Sequence, residues 1–214
     1  MGAIEKRDFS PYSVKDFDRE EYCKGSTLHR VYYHPSPIYD LIVGNAKRGR
    51  LCAKATSPTQ ISHRFIFDCA NRLVRVENFN RGQISYIEFL QHSDGKVMGL
   101  TLDCNGFLAA VSEEVYSNYQ IASFSIANCF YDGDKYVCFN YHAEYYRYDA
   151  MGLLWCNFVN LSPQSGYLIN KNYTFERENG LLVAYHERTE DSPGEAPIVY
   201  RIKKKRYALF GGRS

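Results

Sequence analysis

The densest grouping of side chains able to do acid–base chemistry is Tyr141-His142-Ala143-Glu144-Tyr145-Tyr146-Arg147-Tyr148-Asp149. In an extended chain alternate residues share a face. His142, Glu144, Tyr146 and Tyr148 therefore point one way, and Tyr141, Tyr145 and Arg147 the other. An imidazole and a carboxylate two residues apart on one face can move a proton inside a cleft; cross-strand pairing on a solvated sheet explains the same spacing more simply. His186-Glu187-Arg188 is a weaker arrangement, because adjacent residues face apart. The six histidines (His29, His34, His63, His92, His142 and His186) show neither H-x-x-x-H nor H-E-x-x-H spacing, and no G-x-S-x-G, Walker A or G-x-G-x-x-G motif is present. Paired carboxylates for glycoside hydrolysis would have to come from Glu113/Glu114 or Glu88, which sit in no supporting motif. Seven cysteines (Cys23, Cys52, Cys69, Cys104, Cys129, Cys138 and Cys156) are odd in number, widely spaced and free of C-x-x-C pairs. That pattern matches neither a disulfide framework nor a zinc site. The expectation is a non-catalytic protein with no cofactor and no metal, its thiols packed as small hydrophobes in a reducing compartment.

The elements that must position these residues are announced by a phrase written four times: two apolar or aromatic residues at alternate positions, an acid, two spacers, Gly or Asn, then Leu. The copies are Phe65/Phe67-Asp68 with Asn71 and Leu73, Leu100/Leu102-Asp103 with Gly106 and Leu108, Tyr146/Tyr148-Asp149 with Gly152 and Leu154, and Tyr173/Phe175-Glu176 with Asn179 and Leu181. An acid accepts backbone N–H bonds two residues on and so starts a turn. Three residues later Gly, or next best Asn, tolerates a positive φ. Each copy predicts a strand, a tight turn and a returning strand. Ser93-Asp94-Gly95-Lys96 and Asp132-Gly133-Asp134 predict two further hairpins between alternating apolar runs. The copies are unevenly spaced, which predicts a meandering antiparallel sheet with unequal loops and not a solenoid of fixed period.

The phrase resembles the YD-repeat, or Rhs-type, pattern Tyr-x-Tyr-Asp-x-x-Gly-x-Leu, which Tyr146 to Leu154 matches at every fixed position. The other copies are degenerate, and the resemblance covers roughly residues 64 to 189. In that family such repeats build a twisted sheet that coils into a large shell, with many more copies than four. Rhs-type sequences belong to polymorphic toxin systems, in which small immunity proteins are encoded beside the toxin.

The chain has 214 residues, enough for one domain at 31–214 with an N-terminal appendage at 1–30. Ser13 and Asp16 resemble a capping arrangement and Gly25 a helix end, predicting one short helix over 14–23 with Val14, Phe17 and Tyr22 near one face. Leu41–Ala53 reads as a hairpin with a basic tip at Lys47, Arg48 and Arg50. An acidic turn at 190–195 joins the last strand pair, Leu182–Arg188 and Ile198–Arg206. Six cations near the end, Arg201, Lys203, Lys204, Lys205, Arg206 and Arg213, exceed the net charge of +2, so the rest of the chain is net acidic. A lysine-rich terminal strand is a known protection of a sheet edge. No apolar run is long enough for a membrane helix and residues 1–19 lack an apolar leader, which predicts a cytoplasmic location.

The 19 tyrosines and 13 phenylalanines suit a half-buried sheet with a rigid contact surface. The leading expectation is a protein-binding domain, an immunity protein that neutralises a cognate bacterial toxin. Its contact residues are expected among outward-facing Tyr116, Tyr119, Tyr131, Tyr145, Arg147 and Tyr185. Acids at turns and strand ends, Glu113, Glu114, Asp132, Asp134, Glu190, Asp191 and Glu195, would meet a basic partner. The alternatives are a carbohydrate-binding or carbohydrate-active sheet, and a nucleic-acid-associated protein using the basic C-terminus.

Overall fold

The computed structural model describes residues 17–30, 32–39, 41, 48–52, 54, 57–179, 181–190 and 196–201. They form one antiparallel sheet of 13 strands. In chain order these are β1 (Phe17–Lys24), β2 (Arg50–Cys52), β3 (His63–Asp68), β4 (Leu73–Asn80), β5 (Gln83–Ser93), β6 (Lys96–Asp103) and β7 (Leu108–Ser117). The remainder are β8 (Gln120–Tyr131), β9 (Tyr136–Asp149), β10 (Gly152–Ser162), β11 (Tyr167–Glu178), β12 (Leu181–Thr189) and β13 (Ile198–Arg201). From β3 to β13 every strand pairs with its neighbours in sequence. β1 lies beside β3, and β2 forms the outer edge beyond β1. The predicted antiparallel meander is the observed architecture, and the sheet stays open.

The predicted N-terminal helix is wrong over its described part. Residues 17–24 are strand, paired with β3 from Phe17↔Asp68 to Cys23↔His63. Neighbouring strands explain why. A period-2 set beats the helical spacing of Phe17 and Tyr22: Arg19 lies 3.9 Å from the Phe67 ring centroid, Cys23 is fully buried, and on the opposite face Glu20 pairs with Arg64. Ser13 and Asp16 lie outside the described residues. Leu51 and Cys52 pair with β1, as Tyr22↔Cys52 and Cys23↔Leu51; the expected partner run, Leu41 to Val43, lies outside the described residues apart from Leu41. Of the proposed basic tip, Lys47 lies outside the described residues, as do the cations from Lys203 onward, whereas Arg48 lies 5.9 Å from the Tyr32 ring centroid and Arg50 begins β2.

The repeated phrase acts as read at its turns. All four Gly or Asn positions have positive φ: Asn71 at 59°, Gly106 at 84°, Gly152 at 115° and Asn179 at 52°. In the first two copies the acid closes the turn. Asp68 Oδ1 accepts the N–H groups of Ala70 and Arg72 at 3.0 and 2.9 Å, and Asp103 Oδ1 those of Asn105 and Phe107 at 2.9 and 2.8 Å. Asp149 accepts from Met151 N–H at 2.8 Å. Glu176 breaks the pattern. Its longer side chain starts no turn; it remains inside β11, paired with Ala184, and reaches His186 at 2.7 Å.

Registers place alternate residues of successive strands on a common inner face. Phe65, Val76, Glu88 and Thr101 lie across from one another, as do Glu114, Phe124, Glu144 and Phe158. The connection between β1 and β2 runs over this face as a strap. Its Leu28 belongs to an apolar cluster with Cys23, Phe65, Phe67, Val76, Leu90 and Val97. Its Ile38, fully buried, belongs to a second cluster with Phe124, Tyr146, Cys156, Phe158, Tyr173 and Phe175. A single-layer sheet exposes both faces to water; the strap supplies the second layer over the inner one.

Candidate functional site

Between the two apolar clusters the strap crosses a row of buried carboxylates. Arg30, 2% exposed and held at φ 48°, projects into them. Its Nε donates to Glu88 Oε2 at 2.6 Å, its Nη2 to the other Glu88 oxygen, and its Nη1 to Glu114 Oε1 at 2.5 Å. Burial alone pushes the Glu88 carboxyl up. The Arg30 charge, with His29 Nε2 at 3.3 Å, overcomes it and holds that carboxyl well below the usual range. The facing strand makes room: a Cβ on Gly99 would collide with Ser112 Oγ and lie 2.9 Å from Glu88 Oε1. Tyr116 OH completes the group by donating to Glu114 Oε2 at 2.7 Å.

A second buried carboxylate, Glu144, is 1% exposed. It accepts from Ser36 Oγ of the strap at 2.5 Å and from Tyr146 OH, while its other oxygen lies 2.5 Å from His142 Nε2. The His142–Glu144 pair read from the sequence is thus real, and it is buried under the strap where a solvated cross-strand pair was the simpler expectation. Oε2 accepts two of these bonds and Oε1 meets the imidazole, so the carboxylate orients the His142 ring. Among the described residues no serine or cysteine is hydrogen-bonded to His142, and no three His, Cys, Asp or Glu side chains converge to hold a metal ion.

These groups border a cleft of about 770 Å³ between the strap and strands β4 to β9. The strap contributes His29, His34 and Tyr39; the His34 ring stacks on Tyr39 at 3.6 Å. Burial pushes the His34 imidazole well below its ordinary value. The sheet contributes His142 and Glu144 on the floor and Asp103 at the side. An amide row runs along the floor, Asn128 donating to Asn140 at 3.3 Å and Asn140 to Asn160 at 2.7 Å. Around the mouth stand Tyr86, Phe107, Phe130 and Phe139, exposed by 45%, 41%, 43% and 40%. Phe107 stacks on Tyr131 at 5.3 Å, and Phe130 lies 6.1 Å from Phe139. A second cleft, on the other side of Arg30 and lined in part by Tyr33, His92, Lys96 and Tyr116, mixes both signs of charge.

The contact residues expected from sequence are scattered. Tyr131 lines the first cleft, and Asp132 and Asp134 form the exposed tip of its β8–β9 hairpin. Tyr116 and Tyr119 line the second cleft, Tyr119 fully exposed at a turn. Tyr145 and Arg147 lie on the outer face, Arg147 4.8 Å from the Trp155 ring centroid. Glu113 is half-buried there and pairs with Lys96. Two expectations of outward exposure fail. Glu114 is buried, because its strand position is inward and Arg30 neutralises it; Tyr185 packs against the second cluster and stacks on Tyr200 at 4.6 Å. Glu190 is exposed and accepts from Asn170 and Asn172. Asp191 and Glu195 lie outside the described residues. Sequence reading missed His29, Arg30, Tyr86, Phe107, Phe130 and Phe139 as site residues. A detectable signal was present for the carboxylates: Glu88, Glu114 and Glu144 occupy strand positions where alternation calls for apolar side chains. No helix among the described residues is long and apolar enough to cross a membrane. No family model matches the chain, and no curated protein matches it significantly.

Proposed function

We propose that this chain is a non-catalytic recognition domain that binds another protein, and that it serves as an immunity protein of a toxin system. The observation that carries the binding reading is the group of Tyr86, Phe107, Phe130 and Phe139, each about two-fifths exposed, that lines the cleft under the strap. Clustered exposed aromatics mark interaction sites, and such residues dominate the energy of protein interfaces. The engaged Glu144 carboxylate supports binding over catalysis. The immunity role rests on the resemblance of Tyr146–Leu154 to Rhs-type repeats. Co-expression with the product of the adjacent gene tests both parts. The expected outcome is rescue of growth and co-purification, both abolished by Phe130→Ala/Phe139→Ala without loss of folding. Absence of any complex with the intact protein would refute the reading.

A second reading has its own observation. The Asn128–Asn140–Asn160 amides beside exposed rings offer the hydrogen bonds and stacking faces that a sugar uses. Specific retention on a glycan array, lost in Phe139→Ala, would favour it.

A further inference from the structure

Resting on the protein-binding reading, we propose that the cleft receives a cationic side chain, an arginine or lysine carried by the partner. Its permanent charges are of one sign: Asp103 and Glu144 contribute carboxylates, and no lysine or arginine lines it. It also holds the imidazoles of His29, His34 and His142, of which His29 lies 3.3 Å from Glu88 and His142 2.5 Å from Glu144. Arg30, the nearest buried cation of the strap, is spent on Glu88 and Glu114. Asp103 keeps capacity for a guest. Its Oδ1 is taken by two turn N–H groups, while Oδ2 has a single amide contact at 3.5 Å. The aromatic rings at the mouth present negative faces that attract guanidinium or ammonium groups, and partial exclusion of water strengthens both attractions. Asp132 and Asp134 stand at the hairpin tip next to Tyr131; Lys135 shares that tip but does not line the cleft. An anionic guest would meet the Asp103 carboxylate with no lysine or arginine in the lining to answer it, and a purely apolar one would bury Asp103 with no cation beside it.

The turn acids provide an internal control. Asp68 and Asp103 make the same two backbone bonds in equivalent hairpins, and only Asp103 lines the cleft. The full chain, labelled with 15N, is titrated with N-acetyl-arginine amide, N-acetyl-lysine amide and the neutral N-acetyl-citrulline amide while amide shifts are followed. The expected result is saturable shifts at residues 101–109 and 126–142. Citrulline should bind roughly fivefold or more weakly than arginine, the scale of one cation–π or charge contact. Asp103→Asn should weaken arginine by a similar factor, and Asp68→Asn should leave it unchanged. Phe139→Ala gives a second, charge-neutral variant expected to weaken both cations. Equal binding of citrulline and arginine, equal loss in Asp68→Asn and Asp103→Asn, or no saturable shift with any probe overturns the cationic guest. A protein partner that co-purifies while no cation binds leaves the protein-binding reading standing and removes this one; arginine binding without any captured partner does the reverse.

Discussion

At the scale of single residues, the inner face is set apart by ionisable groups that burial would otherwise exclude. Glu88, Glu114 and Glu144 tolerate burial because each finds charged or hydroxyl partners, two of them through the one guanidinium of Arg30. Among the described residues, His63 and His34, unlike His142, have no carboxylate hydrogen-bonded to the ring. His63, 4% exposed and stacked on Phe65, has its pKa lowered to about 4, chiefly by burial and then by nearby His29. His34 is shifted in the same direction. The folded state therefore refuses protons that the unfolded chain accepts at about pH 6.5. Stability is unaffected above that value and falls as pH drops from about 6.5 toward 4, by about 1.4 kcal/mol per pH unit for His63, with His34 acting in the same direction. Below that window Glu88, held low by Arg30, adds a further loss as it protonates. Urea unfolding measured between pH 7.5 and 4.5 should show this decline. His63→Gln should reduce its slope by one proton's worth; an unchanged slope would mean that His63 is protonated in the folded state.

At the scale of elements, the hairpin turns carry the testable strain. Asn71 sits at φ 59° in the β3–β4 turn, its N–H bonded to Asp68 O at 2.9 Å. A β-carbon without a polar side chain is disfavoured there, so Asn71→Ala should cost roughly 1–2 kcal/mol, while Asn71→Gly should be close to neutral. Thermal unfolding of both variants checks the pair, and equal losses would place the cost elsewhere. The same turns explain what could be read in advance. Turn chemistry is local: it needs an acid, a residue tolerant of positive φ and flanking alternation, and all three are visible at Asp68, Asp103 and Asp149. Glu176 misled because a side chain one methylene longer reaches a cross-strand histidine instead of the turn amides. β1 misled because its acids and arginines are answered by Arg64 and Phe67, some 45 residues downstream, leaving no local mark of a strand. The strap is the extreme case. Arg30, His34, Ser36 and Ile38 lie outside any strand, and although the last three alternate, the four mix charge, imidazole, hydroxyl and hydrocarbon, because each answers a different group of the sheet beneath it. The cleft that the strap roofs with His29, His34 and Tyr39 was therefore invisible, although its floor residues His142 and Glu144 stood out.

At the scale of the whole molecule, a sheet whose strands nearly all pair with sequence neighbours behaves as a one-dimensional stack, able to unfold from either end. Two features oppose that here. Both apolar clusters draw a residue from the strap, Leu28 on the β3–β6 side and Ile38 on the β8–β12 side. Between them Arg30 fastens the strap to β5 and β7. If this cross-tie couples the halves, the intact protein unfolds in a single transition, and cutting the tie uncouples them. Arg30→Met keeps an unbranched apolar stem but removes the guanidinium that both buried carboxylates share, leaving Glu114 with only the Tyr116 hydroxyl and Glu88 with only His29, a loss of about 3–5 kcal/mol. The chain's single tryptophan, Trp155 in β10, reports on the β8–β12 half, whereas circular dichroism reports on every strand. In urea the two signals should coincide for the unaltered protein, the mark of two-state behaviour. In Arg30→Met the dichroism should begin to fall at lower urea than the tryptophan fluorescence, because the β3–β7 half loses its fastening while Ile38 still seals the other. Coincident curves in the variant, shifted together, would show that the apolar clusters alone couple the sheet and that the ion triplet contributes only to its stability.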